Sequence, residues 1–417
     1  MELVGIDDVR AAARRLDGVF EPTPVQRSRA LSDRAGVEVW LKCENLQRTG
    51  SFKPRGAYNR IARLAVEERS HGVVCASAGN HAQGVALAAA MQDVPATVYM
   101  PVEVALPKLA ATQAYGAEVR LVGERLDDAL AAAAAFAQQQ GCAFVHPFDH
   151  PDIIAGQGTV ALELVDQLPD LATVLLPVGG GGLISGIATV LRARRPEVRV
   201  VGVQAAGAAS FEASLAAGQP TTLAQCDTIA DGIAVKRPGD LTLAHVRDLV
   251  DDLVTVTDDQ LADAVVLLLE RAKLVVEPSG AAGVAALTTG VAKVSSPAVA
   301  VLSGGNIDPL LLQHLVTGGL TRAGRYVTLR TQVPDRPGGL ARLLELVAAQ
   351  RVNVVGVSHH RLEHRVELGQ VEVTLELETR GHDHLEELER VLVDAGYPLA
   401  PRGPAGTVRA TQRSRET

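Results

Sequence analysis

The segment that decides the fold reads Ser51-Phe52-Lys53-Pro54-Arg55-Gly56-Ala57 and follows the polar turn Arg48-Thr49-Gly50. This order places Lys53 at the start of a predicted helix. Free N–H groups and the positive end of the helix dipole lower the pKa of an ammonium group there and favour an anionic partner. A lysine that loses its proton easily can form a Schiff base with an aldehyde cofactor. Most lysines near helix starts are solvated, so this chemistry needs support from other parts of the chain.

A second motif, Ser77-Ala78-Gly79-Asn80-His81, follows a predicted strand that ends near Ala76. Gly79 would let a ligand approach the backbone closely, and the Asn80 amide can donate to an oxygen of a bound ring. Ser and Asn are also preferred helix caps, so a structural role is the simpler interpretation of this motif taken alone.

A third motif contains four consecutive glycines between a predicted buried strand and a predicted helix, Gly179, Gly180, Gly181 and Gly182. Exposed N–H groups at a helix start form a cup that suits a phosphate. The motif lacks the Gly-Lys-Ser/Thr ending of a Walker loop, and it does not match the GxGxxG dinucleotide pattern. We therefore expect a phosphorylated cofactor other than NAD.

Two further segments place polar groups at the ends of predicted elements. The fourth motif, Ser303-Gly304-Gly305-Asn306, puts a hydroxyl and two glycines after a strand. Glu277 lies directly before a helix that Pro278 starts. We interpret the Glu277 carboxylate as a favourable charge near a helix N-terminus, with no further role.

Composition and length limit the classes of protein that fit. With 417 residues the chain is too long for one small core, so we expect two or three domains. The net charge of −8 argues against a nucleic-acid partner. No apolar run is long enough to span a bilayer, and the acidic start lacks the features of a signal peptide. The four cysteines show no CxxC spacing, so we expect no zinc site, no disulfides and a cytoplasmic location.

Short β-branched runs alternate with alanine-rich helical runs from about residue 37 to 318. This alternation predicts an α/β fold with parallel sheets covered on both faces, in which ligands lie beyond the carboxyl ends of the strands. The predicted strands are 38–42, 72–76, 96–100, 118–122, 143–146, 173–178, 198–204, 252–256 and 298–302.

The pattern changes near residue 320. Residues 326–333, 353–360 and 370–378 alternate or are extended, and residues 339–350 and 384–395 are helical in pattern. With a weak last strand around Tyr397, they predict an α+β unit of the order βαββαβ. We therefore expect a catalytic domain at 1–320, the α+β unit at 325–400 and a disordered tail at 401–417.

Together the four motifs require a ligand with an aldehyde, a ring oxygen, a ring nitrogen and a phosphate, and pyridoxal 5′-phosphate (PLP) has all four. The same motifs occur in the same order in the PLP-dependent threonine/serine dehydratases, which the chain resembles over residues 5–318. Residues 230–239, Ala-Asp-Gly-Ile-Ala-Val-Lys-Arg-Pro-Gly, resemble the threonine dehydratase version. The resemblance implies the two-lobed tryptophan-synthase-β-like fold, fold type II.

The resemblance also implies a role for each motif. Lys53 would form the Schiff base with PLP and take the α-proton of the substrate, and Phe52 would stack near the ring. Asn80 would bond the 3′-oxygen of the ring, Ser303 the ring nitrogen, and the four glycines the phosphate. The substrate carboxylate would be bound by the loop formed by Ser77, Ala78, Gly79, Asn80 and His81. Some relatives carry an acid where this chain has Gln204, so we expect no divalent metal site and at most a monovalent cation.

The carboxyl-terminal unit resembles the ACT domain, a small amino-acid-sensing module. ACT domains pair, which implies a homodimer or homotetramer and a branched-chain amino acid as effector. The predicted effector-binding residues form the turn before the first helix of the unit: Asp335, Arg336, Pro337, Gly338 and Gly339. A pairing module that binds no effector is the alternative interpretation.

The resemblance therefore predicts a threonine ammonia-lyase that converts L-threonine to 2-oxobutanoate and ammonia, with activity on L-serine and regulation by amino acids. A serine dehydratase or serine racemase on the same scaffold remains open, because the size of the pocket cannot be read from sequence. Racemisation needs a second acid–base group, for which the Ser77 hydroxyl is the candidate. A β-replacement synthase and a non-catalytic amino-acid sensor are more distant alternatives.

Overall fold

A computed structural model describes residues 2–360 and 369–400. The predicted disordered tail, 401–417, lies outside the described residues. The chain divides into two units, Met1–Pro309 and Leu310–Thr417. We expected this division near residue 320, but Pro309–Arg322 is a helix that belongs mostly to the second unit. One reason is that the Arg322 carbonyl, at the end of this helix, accepts a hydrogen bond from His382 (2.8 Å).

The first unit contains ten strands and thirteen helices of the α type among the described residues. The strands are β1 Val25–Arg27, β2 Val39–Lys42, β3 Val73–Ala76, β4 Ala96–Met100, β5 Glu118–Leu121, β6 Ala143–Phe144, β7 Thr173–Pro177, β8 Arg199–Ala205, β9 Asp252–Val256 and β10 Ala298–Val301. The helices are α1 Ile6–Leu16, α2 Arg29–Ala35, α3 Lys53–Ala62, α4 Val66–Ser70, α5 Asn80–Ala90, α6 Leu106–Ala114, α7 Leu126–Gln140, α8 Pro151–Gln167, α9 Gly182–Arg194, α10 Ser210–Ala217, α11 Asp240–Leu249, α12 Asp258–Leu267 and α13 Pro278–Thr289.

Two sheets organise this unit into two lobes. The larger sheet has the order β1-β2-β10-β7-β8-β9, and the smaller one has the order β5-β4-β3-β6. All neighbouring strands are parallel except β1 and β2. Because β3 to β6 lie between β2 and β7 in the chain, the small lobe is inserted into the large one. Strand β1 was not predicted, because a three-residue edge strand shows too little alternation.

Helix α3 lies between the two lobes. It packs on α5 of the small lobe and on α8 of the large lobe. Each lobe has its own core of aliphatic side chains, so α3 and its first residue, Lys53, are held from both sides. This arrangement places the start of α3 near the carboxyl ends of β3, β7 and β10.

The carboxyl-terminal unit forms a three-stranded antiparallel sheet of order β11-β13-β12. Its elements are α14 Pro309–Arg322, β11 Tyr326–Pro334, α15 Gly339–Ala349, β12 Asn353–His360, β13 Gln370–Glu378 and α16 His382–Asp394. Alternate residues of β11 and β13 are buried and form a separate core with α15 and α16. The weak last strand of the predicted order is reduced to one bridge, between Thr331 and Leu399.

Candidate functional site

A cavity of about 1050 Å³ opens at the carboxyl ends of the strands of both lobes. All four motifs meet there, although they are far apart in the sequence. The predicted site residues in its wall are Phe52, Lys53, Ser77, Ala78, Gly79, Asn80, His81, Gly179, Gly180, Gly181, Gly182 and Ser303. The convergence follows from the topology, because β3, β7 and β10 run in parallel within their sheets and end toward one crevice.

Lys53 is the first residue of α3 and its side chain lies in the cavity wall. The ammonium donates to the Pro147 carbonyl at 3.0 Å and lies 5.2 Å from the centre of the Phe52 ring. Withdrawal from water lowers the pKa of Lys53 to about 8, and the Glu277 carboxylate partly opposes this shift. The direction agrees with the prediction, but the main physical cause is burial rather than the helix dipole.

The loop that precedes α5 leaves backbone donors facing the cavity. Gly79 is the N-cap of α5 and provides no side-chain cap, so the helix-cap interpretation does not describe this loop. The Ser77 hydroxyl accepts from the Gly79 N–H at 3.2 Å. The first N–H groups of a helix have no intrahelical partner, and here they are suited to bind a carboxylate.

The His81 side chain has a structural role that the sequence did not reveal. It is buried, and its Nε2–H donates to the Val145 carbonyl at 2.9 Å. Burial and the nearby Lys53 charge lower the pKa of His81 to about 3. The imidazole is therefore neutral at physiological pH, and only the backbone of His81 is free to contact a substrate carboxylate.

Asn80 takes part in a chain of hydrogen bonds that the motifs did not predict. Its amide nitrogen donates to Glu277 Oε1 at 2.6 Å, and its amide oxygen accepts from Asn306 Nδ2 at 2.6 Å. Glu277 is indeed the N-cap of α13, but the interpretation of this residue as only a helix-terminal charge is wrong. Burial, together with the Asp231 charge, raises the pKa of Glu277 to about 7. The apolar residues around it in the sequence, from Leu274 to Ala282, were the available signal of a buried carboxylate.

The glycine loop is shaped so that no other residue fits. Gly181 has a φ of 89°, in the left-handed region. A Cβ at Gly180 would lie 2.0 Å from the Phe148 ring, and one at Gly179 would lie 2.8 Å from Ile233 Cα. Because glycines have no side chains to cover the backbone, the N–H groups at the start of α9 are open to a phosphate. Lys53, this loop, the Asn80 amide and the hydroxyl of Ser303, a buried residue that lines the cavity, provide the donor set that PLP requires, so the residues present fit this cofactor.

Two ion pairs join the lobes at the mouth of the cavity. Lys108 of the small lobe pairs with Asp231 of the large lobe, and Lys236 of the large lobe pairs with Asp127 at 3.0 Å. All four residues line the cavity. Asp231 and Lys236 belong to the segment 230–239 that resembles the threonine dehydratases, whereas no local pattern in the chain distinguished Lys108 and Asp127.

The predicted effector turn lies in the second unit, between β11 and α15. Asp335 to Gly338 are exposed, whereas Gly339 is buried. Gly338 is the N-cap of α15 with a φ of 86°, and a Cβ at Gly339 would lie 2.4 Å from the Pro334 carbonyl oxygen. The turn therefore requires its glycines and leaves the N-terminus of α15 accessible.

Comparison with known proteins agrees with this geometry. Residues 16–304 match the family described as pyridoxal-phosphate dependent enzyme. The chain belongs to this family. Residues 327–394 match the ACT domain. Both assignments confirm the resemblance inferred from the motifs, including the α/β fold of type II and the α+β carboxyl-terminal unit.

Individual relatives of this PLP-dependent chain extend over most of its length. It is 47% identical over 397 residues to the L-threonine ammonia-lyase of Thermotoga maritima, which covers 95% of this chain and 99% of that protein. The structure of maize serine racemase superposes with a TM-score of 0.72 at 37% identity, covering 77% of this chain and 99% of that chain. The threonine deaminase of T.th. superposes with a TM-score of 0.69 at 40% identity, covering 73% of this chain and 99% of that chain.

Proposed function

We propose that the protein is a threonine ammonia-lyase, which converts L-threonine to 2-oxobutanoate and ammonia and also acts on L-serine. The observation that carries this proposal is Lys53, whose amine has a lowered pKa and lies in one cavity with a phosphate-binding loop. The near full-length similarity to an L-threonine ammonia-lyase supports the choice of substrate.

In this proposal each group in the cavity has a defined task. PLP, when bound, withdraws electrons from the substrate α-carbon; Lys53, the glycine loop, Asn80, Phe52 and Ser303 would hold it. The loop 77–81 would bind the substrate carboxylate through its N–H groups. The Lys53 amine would then take the α-proton, and the β-hydroxyl leaves as water. Water is taken up again when ammonia is released, so the overall change is threonine to 2-oxobutanoate plus ammonia.

The test replaces Lys53 with alanine. We expect Lys53→Ala to abolish covalent attachment of PLP and to lower turnover of threonine by at least about a thousandfold, because the base and the attachment point are both lost. Borohydride reduction followed by mass spectrometry should find the pyridoxyl label on Lys53 of the wild type. Lys293→Ala, which removes an exposed lysine far along the chain, is the control and should behave as wild type. A label on another residue, or normal turnover by Lys53→Ala, would exclude the proposal.

A second candidate function is serine dehydratase or serine racemase, which the similarity to maize serine racemase favours. In that case the Ser77 hydroxyl would provide the second acid–base group. Initial rates with L-threonine and L-serine, measured as 2-oxo acid and as D-serine, separate the candidates. Faster formation of D-serine than of either 2-oxo acid would favour the racemase.

We further propose that the protein acts in the cytoplasm, in isoleucine biosynthesis, as a homodimer or homotetramer. The ACT domain supports pairing and control by a branched-chain amino acid. Among the described residues no helix is both long and apolar enough to cross a membrane. At Gln204 we propose at most a monovalent cation, because its amide already closes the following turn through Ala208 and Glu212. No nucleic-acid or membrane partner is proposed.

A further inference from the structure

The hydrogen bonds around Asn80 have a fixed direction. The Thr49 carbonyl can only accept, and it accepts from Asn306 Nδ2 at 2.6 Å. The nitrogen of the Asn306 amide is thereby identified, and its other hydrogen is donated to Asn80 Oδ1 at 2.6 Å. The Asn80 amide nitrogen must then point away from Asn306. It donates one hydrogen to Glu277 Oε1, and its second hydrogen has no partner among the described residues.

We propose that Glu277 and Asn306 are positioning residues, which hold the Asn80 amide so that its nitrogen donates into the cavity. This inference rests on the proposed function, in which the donor meets the ring oxygen of PLP. Asn80 alone could rotate its amide by a half turn and present its oxygen. An oxygen there would repel the electron-rich ring oxygen, so the two neighbours select the one productive orientation.

The backbone conformation at Thr49 and the small size of Gly304 favour the hydrogen bonds around Asn80. Thr49 has a φ of 62°, a strained conformation for a β-branched residue, and its carbonyl is the acceptor for Asn306. A Cβ at Gly304 would lie 2.3 Å from Glu277 Oε1 and 2.9 Å from Asn80 Nδ2, so a larger residue there would displace these two hydrogen-bonded groups. Glu277 is only 4% exposed. A strained turn, a closely packed glycine and a buried carboxylate all lie around the Asn80–Asn306 pair.

The test measures the dissociation constant of PLP by fluorescence and the absorbance spectrum of the bound cofactor. We expect Glu277→Ala and Asn306→Ala each to weaken PLP binding about tenfold. This is the effect of losing one charge-assisted hydrogen bond, the bond from the Asn80 amide to the ring oxygen of PLP. Both variants should also shift the absorbance maximum. Glu277→Gln keeps an oxygen acceptor for Asn80 and should restore binding to within about threefold of wild type.

A double-mutant cycle separates positioning from general stability. Once Asn80 is alanine, Asn306→Ala should change the PLP dissociation constant no further, because the amide that it orients is gone. The matched control is Asn59→Ala, which also removes a buried amide that donates to Asp152 (2.7 Å) and accepts from Arg15 (3.0 Å). It should lower the thermal midpoint as Asn306→Ala does, without altering the spectrum.

The outcomes distinguish this inference from the proposed function. If the wild-type chain binds no PLP at Lys53, the proposed function fails. If the wild type binds PLP and the Glu277 and Asn306 variants bind it equally well with an unchanged spectrum, only the positioning role is wrong. Additive losses in the Asn80→Ala background would likewise overturn it, since they would show that Asn306 acts through the fold.

Discussion

The ammonium group of Lys53 loses its proton more easily than that of a solvated lysine because the cavity wall removes it from water. The Glu277 carboxylate acts in the opposite direction, so the pKa reaches about 8 rather than a lower value. An amine with this pKa is about one-tenth neutral at pH 7, against less than about a thousandth for an ordinary lysine. At the residue scale, burial therefore increases the neutral fraction of the Lys53 amine, the form that can act as a nucleophile.

This state of Lys53 predicts the pH dependence of PLP attachment to the cofactor-free protein. Only the neutral amine attacks an aldehyde, so the attachment rate should rise about tenfold between pH 6 and 7 and level off above about pH 8.5. Stopped-flow absorbance of the bound cofactor measures this rate. Glu277→Gln removes the charge that raises the pKa and should move the plateau to lower pH. A rate that still rises through pH 10 would show an ordinary, solvated lysine.

The sequence predicted residues whose chemistry depends on local order, and it missed those whose role depends on distant contacts. The positions of Lys53 at a helix start and of the glycine run at the start of α9 were predictable because they depend on residues close together in the sequence. Glu277 was interpreted as a helix-terminal charge because Asn80, its partner, is 197 residues away. The role of the His81 ring was missed for the same reason, since its acceptor is the Val145 carbonyl.

At the scale of elements, a buried group of charges fixes the start of α3. Arg55 forms two bonds to Glu44, both at 2.9 Å, and a further one to Glu163 of α8. Lys42 of β2 also binds Glu163 and balances the charge. All these side chains are at most 15% exposed, so water has little access to them. The network ties β2, α3 and α8 together two residues after Lys53.

Removing Arg55 should destabilise the first unit strongly. Arg55→Met leaves the Glu44 carboxylate buried without its counter-ion, and we expect a loss of about 3–5 kcal/mol in the free energy of unfolding. Arg63→Met, at the C-cap of the same helix, is the control. Arg63 is half-exposed and pairs with Asp152, so its loss should be about 0–1 kcal/mol. Denaturant titration followed by circular dichroism measures both free energies of unfolding. Equal losses for the two variants would contradict the expectation that the buried ion pairs of Arg55 matter more for stability than the pair made by the half-exposed Arg63.

The elements themselves were predictable to different degrees. Strands β3, β7, β8 and β10 are buried and β4 and β9 are partly buried, and the predicted ranges cover most of these six strands. Strand β6 ends at Phe144, not at residue 146 as predicted, because His146 Nδ1 accepts the N–H groups of Phe148 and Asp149 and turns the chain. The association of α14 with the second unit depends on contacts with residues near 380, which no local pattern reports.

At the scale of the whole molecule, the two units have separate cores and separate candidate sites. The cavity is lined entirely by residues of the first unit. The predicted effector turn belongs to the second unit, whose core is formed by β11, β13, α15 and α16. The match to the threonine deaminase of T.th. covers 73% of this chain but 99% of that one.

This division predicts that regulation can be removed without loss of catalysis. Isoleucine or valine should give a measurable heat of binding in calorimetry and change the rate of threonine turnover. Gly339→Val should abolish both effects, because its side chain would displace the Pro334 carbonyl and deform the turn at the start of α15. Turnover without effector should remain within about twofold, since no residue of the turn lines the cavity.

The control for this variant is Gly396→Ala in the same unit, where φ is 87° and a Cβ would meet open space. It introduces backbone strain beyond α16, away from the turn, and should keep the response to the amino acids. If neither isoleucine nor valine produces heat or a kinetic effect in the full-length protein, the second unit is a pairing module without an effector. If Gly339→Val responds like the wild type, the effector binds elsewhere, because a turn with a displaced carbonyl could not present the same N–H groups to a carboxylate.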